Sequence, residues 1–252
     1  MKMIQKCLFA LLLIGSIQAL SAQEQSMAIR YVVTHNWTKK MAAVDYISKQ
    51  ERERMSYIWG SRSEWSSYTN LFMDGQRSKY EESEEKFDDD DFGYNWRKDP
   101  FFISRNFEAG TFQDLLTVQG KPYLISDSIR VQDWKILNDM KEVAGHVCMN
   151  AVLYDSVKMQ RVVAWFALDM PFPGGPERYY GLPGLILEVN VNNGGMVIVA
   201  DKIEPKILEK ELELPKKIKG KRVNETEYQE VLKKFVADKR KAEESPFWGI
   251  RY

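Results

Sequence analysis

The chain is poor in the residues most often used for chemistry. Its 252 residues include two cysteines, Cys7 and Cys148, and two histidines, His35 and His146. Cys7 lies in an N-terminal segment of leader character, so the rest of the chain holds one thiol and no intrachain disulfide can staple it. Two histidines leave little for acid–base work. There is no Gly-x-Ser-x-Gly elbow, no His-Glu-x-x-His pair and no phosphate loop. Carboxylates are plentiful, yet no pair is singled out by its setting. Charge of either sign is also lacking in net terms: 36 Lys and Arg balance 36 Asp and Glu. That balance removes the electrostatic case for nucleic acid. No segment repeats at a fixed period. These absences argue for a noncatalytic protein without a cofactor.

What is present begins with the N-terminus. MKMIQK is basic, CLFALLLIGSIQAL is apolar, and SAQEQS supplies small residues. That order describes a secretory signal, with cleavage after Ser21 or Ala22. The apolar run is broken by Gly15, Ser16 and Gln18 and is short for a membrane span. Cys7 precedes the run and so does not sit where a lipidated cysteine would. The expectation is a signal peptide over 1–22 and one domain over 23–252. The mature protein would be exported, in the periplasm or at the outer membrane, and not membrane-spanning. It would carry 34 basic and 36 acidic residues.

Met27 to Trp37 reads as a strand. Beyond it, Val44, Ile47, Met55, Ile58 and Trp59 recur at helical spacing between charges, which predicts one amphipathic helix. Asp74-Gly75 marks a hairpin between two short strands. The acidic stretch that follows, around Asp88 to Asp91, reads as a solvated loop, because Phe92 spoils a calcium-loop spacing. From Phe101 onward short strands alternate with turns at Gly110, Gly120 and Asn192 to Gly195, as in a meander. Thr226 to Gln229 has capping-box spacing and predicts a helix starting near Glu227 and running to about Glu244. The segment KKIKGKR, Lys216 to Arg222, reads as a charged connector, and PFWGIRY at the end as a packing segment.

Ahead of the strand LILEVNV the chain reads PFPGGPERYYGLPG, a stiff irregular connection. Leu182-Pro183-Gly184-Leu185 has the signature of a type II turn, with Gly184 taking positive φ. Leu185, Leu187, Val189 and Val191 then point to one face. Long irregular connections on rigid sheets often carry function. Tyr179, Tyr180, Gly181, Leu182, Pro183 and Gly184 are therefore the binding candidates, with a chain reversal as the plain alternative.

Gly181 to Ile186, GLPGLI, resembles the naming motif of the GLPGLI family of exported proteins of Gram-negative bacteria. The likeness extends to Lys141, Gly145, Cys148 and Ala151 in one segment. It continues through Ala164, Trp165, Phe166, Ala167, Pro171, Gly175 and Pro176 in another, where Met170 replaces a more usual aliphatic residue. With the earlier FMDGQRSKY, which is similar to a weaker hairpin in relatives, the likeness covers most of Ser63 to Ile203. The resemblance implies a β-rich cell-envelope protein, with outer-membrane TonB-dependent transporters as possible partners. It implies no reaction and no catalytic residues.

His146 and Cys148 leave one face of a strand, and with Asn150 they offer a weak start to a metal site. A closed site needs two further ligands, so a buried thiol beside a hydrogen-bonded histidine is the simpler reading.

The expected fold is mainly β with flanking helices (α+β). It is a curved antiparallel meander or half-barrel, with a closed barrel as alternative. The expected function is a noncatalytic binding or accessory module of the envelope. A carrier of an apolar, lipid-like ligand stands as the alternative, and an enzyme third.

Overall fold

The computed structural model describes residues 26–60, 63–87 and 99–252. The expected leader and the acidic residues Asp88 to Asp91, with their calcium reading, lie outside these. The described residues build one open, mixed sheet of twelve strands. Its centre is the first strand, β1 (Met27–Asn36), whose alternate residues Ile29, Tyr31 and Val33 are buried in the core. One meander leaves β1 through β2 (Glu64–Met73), β3 (Arg77–Glu82), β4 (Phe102–Asn106), β5 (Thr111–Val118) and β6 (Lys121–Ser128). A second returns to the other side of β1. It runs from β7 (Lys135–Val143) through β8 (His146–Asp155), β9 (Gln160–Ala167) and β10 (Ile186–Val191) to β11 (Met196–Pro205).

All these neighbours are antiparallel, as the short turns require where they join consecutive strands. The exception is β12 (Lys221–Val223), which lies parallel to β6 at the outer edge. β12 and β7 are the two ends of the sheet and do not pair, so the closed barrel is not formed. Two hairpins turn in two residues, Gln119-Gly120 and Ala144-Gly145, with φ positive at both positions. This is the turn whose twist matches that of the strands.

The single N-terminal helix is corrected to two. α1 (Trp37–Ala42) is capped by the Asn36 side chain, and α2 (Lys49–Trp59) by that of Ser48. Ser48 competes for backbone donors in the middle of the expected helix, which ends one element and starts another. Val44 and Ile47 are buried in the break, while Ile58 is exposed. α3 (Glu225–Lys241) starts two residues earlier than expected, because Asn224 and Glu227 form the reciprocal capping box.

The type II turn is also corrected. Gly184 does not take positive φ; Gly181 does, at 86°. Gly184 is required for another reason. A Cβ there would lie 1.9 Å from the Ala167 carbonyl oxygen, where the chain packs against the end of β9. Beyond it, Leu185, Leu187, Val189 and Val191 are fully buried, as expected. Each such side chain contributes about 1.5–3 kcal/mol by leaving water.

These two glycines separate in a mutational test. Gly184→Ala forces backbone apart and should cost about 3 kcal/mol or more. Gly181→Ala meets nothing within 4 Å and pays only for its φ, about 1 kcal/mol. Urea unfolding of both variants checks the order, and a larger loss at Gly181 would contradict it.

Candidate functional site

The connection between β9 and β10 is not a surface loop. Phe172, Tyr179 and Leu182 are buried within the main core, and its backbone is bonded back on itself. Gly181 N–H donates to the Pro173 carbonyl at 2.7 Å, Leu185 N–H to Met170 at 2.9 Å, and Ile186 N–H to Gly174 at 3.0 Å. The carbonyl of Ile186 accepts from the Tyr31 hydroxyl at 2.8 Å, which ties the corner to the central strand. Satisfied amides are the condition for burying irregular backbone.

The same connection carries two adjacent charges inward. Glu177 accepts both arms of the Arg251 guanidinium, at 2.6 and 2.5 Å. Arg178 donates to Asp114 on β5 at 2.9 Å and to both oxygens of Glu225 at the start of α3. Asp114 has no exposed surface and is shared with Arg105 of β4. One buried carboxylate therefore serves two guanidinium groups, each also stacked on the Phe112 ring. Burial disfavours the charge on Arg178, but the carboxylates around it outweigh that and raise its pKa.

The tail closes the arrangement. Ser245 caps a short 3₁₀ turn, Pro246–Trp248, and Phe247, Ile250 and Tyr252 are buried. Glu177, Arg251 and Tyr252 form a partition with a cavity on either side.

The first cavity, about 440 Å³, is walled by an aromatic stack. Trp37 lies 4.4 Å from Trp248 and 5.7 Å from Trp65, which stacks on His35 at 4.2 Å. The ammonium of Lys40 sits inside this box, 4.6 Å from the Trp37 ring, 4.2 Å from that of Tyr252 and 2.5 Å from His35 Nδ1. Burial and this cation hold the His35 pKa well below its usual value, so the ring is a neutral acceptor.

The second cavity, about 330 Å³, lies between Arg105, Arg178, Lys158 and the tyrosines 154, 179, 180 and 228. Its walls come from β5 and β6, from the turn between β8 and β9, and from α3.

The binding candidates are divided by this geometry. Tyr179 and Tyr180 line the second cavity, with the Tyr180 hydroxyl donating to the Arg130 carbonyl at 2.8 Å. Leu182 and Gly184 are buried in the core, and only Gly181 and Pro183 are exposed. The corner as a whole is thus no open binding surface. His146 turns to Asp169 at 2.8 Å, while Cys148 is fully buried and bonded to the His146 carbonyl. Burial pushes the thiol up to about 11, so in the metal-free chain it rests protonated at neutral pH. No group of three His, Cys, Asp or Glu poised for a metal occurs among the described residues.

Sequence reasoning missed Asp114, Glu177, Arg178, Glu225 and Arg251. Asp114 had a signal. Phe112, Asp114, Leu116 and Val118 alternate along one buried face, so a carboxylate stands in a core row. Arg105 lies opposite Phe112 in the register. Glu177 and Arg178 sit in irregular chain and had none.

Comparison with known proteins follows the same region. Residues 153–188 match a family described as protein of unknown function (Porph_ging). No curated protein matches the chain. Two structures of PNGF-II in different space groups share the fold, with TM-scores of 0.54 and 0.53 at 12% identity over 82% of this chain. The chain spans about a third of the length of the PNGF-II chains, 33% and 32%.

Two outcomes test the site's energetics. Arg251→Met leaves Glu177 buried without its partner and should cost about 3–5 kcal/mol in urea unfolding, with Glu177→Met added recovering at least half. No recovery would contradict the pairing. Burial also raises the pKa of Tyr31 and Tyr179 well above the usual range, and that of Tyr252 to about 12. Their contribution to stability is whole below the unfolded value of about 10 and falls as pH rises beyond it. Tyrosinate absorbance from these three residues should therefore appear together with unfolding; its appearance in the folded protein near pH 10 would contradict this.

Proposed function

We propose that the chain is an exported, noncatalytic binding module of the bacterial cell envelope, of the GLPGLI kind, which docks a partner protein on the free end of its sheet. The observation that carries this reading is the state of β7. Its outer edge has no strand beside it among the described residues. Open edges of this sort pair with other chains unless they are protected. Four large apolar residues, Ile136, Met140, Val147 and Leu168, are exposed at that end. The register puts Met140 opposite Met149 and Met149 opposite Phe166, so this patch continues the face on which Phe166 is buried. A contiguous apolar patch at an open edge is the surface signature of a protein partner.

Export rests on the basic-apolar-small N-terminus, and an outer-membrane protein such as a TonB-dependent transporter is the partner class that the family resemblance favours. That the walls of the second cavity come from strands far apart in the sheet supports a curved, half-barrel form. No helix among the described residues is long and apolar enough to cross a membrane. The apolar-carrier reading draws less support, since Leu182, Leu185 and Leu187 are packed within the core and charged groups share the walls of both cavities. The enzyme reading stays third: the two histidines are bonded to Lys40 and Asp169, and the buried Asp114 and Glu177 carboxylates are tied to guanidinium groups.

The test is crosslinking of the full chain in its native envelope, followed by mass spectrometry. Wild type should capture one dominant outer-membrane protein. Met140→Glu with Val147→Glu should cut that capture at least about tenfold with unchanged Tm, since both side chains are exposed. Equal capture by the variant, or lipid recovered at one per chain, would overturn the reading.

A further inference from the structure

The two cavities differ in what their polar groups lack. In the first, the aromatic box already holds a cation, the Lys40 ammonium. In the second, every lining carboxylate is engaged. Glu177 is held by both arms of Arg251, and Glu225 by Arg178 and by Gln229 at 2.7 Å. Asp155 caps its own turn, accepting from the Val157 and Lys158 amides at 2.9 Å.

The donors are not matched in the same way. Lys158 Nζ stands 3.8 Å from Asp155 Oδ2, beyond hydrogen-bond range, and has no acceptor among the described residues. Its side chain is only 17% exposed, so water replaces few of those bonds. Tyr179 and Tyr228 line the same cavity, and their hydroxyls have no hydrogen-bond partner among the described residues. An ammonium with three unengaged donors in a shielded, aromatic-walled cavity is costly unless an anion completes it. Desolvation lowers the Lys158 pKa, with Asp155 and Glu177 opposing the effect and Arg178 and Arg251 adding to it.

We propose that the second cavity binds a small organic oxyanion, a carboxylate or a phosphate monoester, with its charged group on the Lys158 ammonium and the Tyr179 hydroxyl. A volume of about 330 Å³ is at the low end for ligand sites and excludes a lipid tail or a long peptide. The guanidinium groups of Arg105 and Arg178 are fixed by Asp114 and Glu225, so they supply positive potential without moving. This site is separate from the β7 edge and stands whether or not a protein docks there.

Calorimetric titration of the full mature chain tests it, with inorganic phosphate, glucuronate and neutral glucose as probes at matched ionic strength. At least one anion should bind saturably in the millimolar range or tighter, and glucose should not. Phosphate alone binding assigns a phosphate ligand, and glucuronate alone a carboxylate. Lys158→Met should weaken binding by about tenfold or more with little change in Tm, because the ammonium it removes makes no hydrogen bond and only a long ion pair with Asp155. Lys158→Arg should retain binding, which separates loss of charge from loss of fold, and Tyr179→Phe should weaken it a few-fold. No saturable binding of either anion up to about 20 mM, or wild-type affinity in Lys158→Met, would overturn the proposal.

Discussion

Placing the dipeptide Glu177-Arg178 against the sheet, the first side chain buried and the second half-buried, draws on counter-charges from outside its own segment. The fold collects them from three distant places: Asp114 on β5, Glu225 at the head of α3 and Arg251 in the tail. An unpaired charge in such a setting costs several kcal/mol, so these contacts bind the position of each part to the others. The helix, the tail and the strand are thereby referred to one irregular connection. The glycines and prolines of that connection serve the same constraint, since they let irregular backbone lie against β9 without steric conflict.

This explains why the interior is divided and not hollow. The connection and the tail occupy the space that an open sheet would leave over its apolar face, and the Glu177–Arg251 pair partitions what remains. On one side the remaining space is aromatic and already holds Lys40; on the other it is rich in tyrosine and unengaged donors. The likeness to PNGF-II at 12% identity carries the fold and nothing further, so the chemistry of each cavity has to be argued from its own walls.

Much of this was legible along the chain, and the limits have physical causes. Alternation found the strands of both meanders, and turn chemistry found most of their hairpins, because both signals are local. The apolar face of β10 was read correctly for the same reason. The first helix failed where Ser48 offered a cap that periodicity ignores. Gly184 failed because a glycine needed for close approach looks the same as one needed for positive φ. The site was hardest. Asp114 could be found as a carboxylate in a core row, but Glu177, Glu225 and Arg251 lie in chain whose spacing says nothing about burial. Their meeting is a property of topology.

Amide hydrogen exchange over residues 172–187 tests this account most directly. Gly181, Leu185 and Ile186 donate to carbonyls inside the connection, so their amides should exchange as slowly as those of β10, at the rate of global unfolding. Exchange at the rate of an exposed loop, with β10 still protected, would show that the connection is not part of the core and would contradict the account.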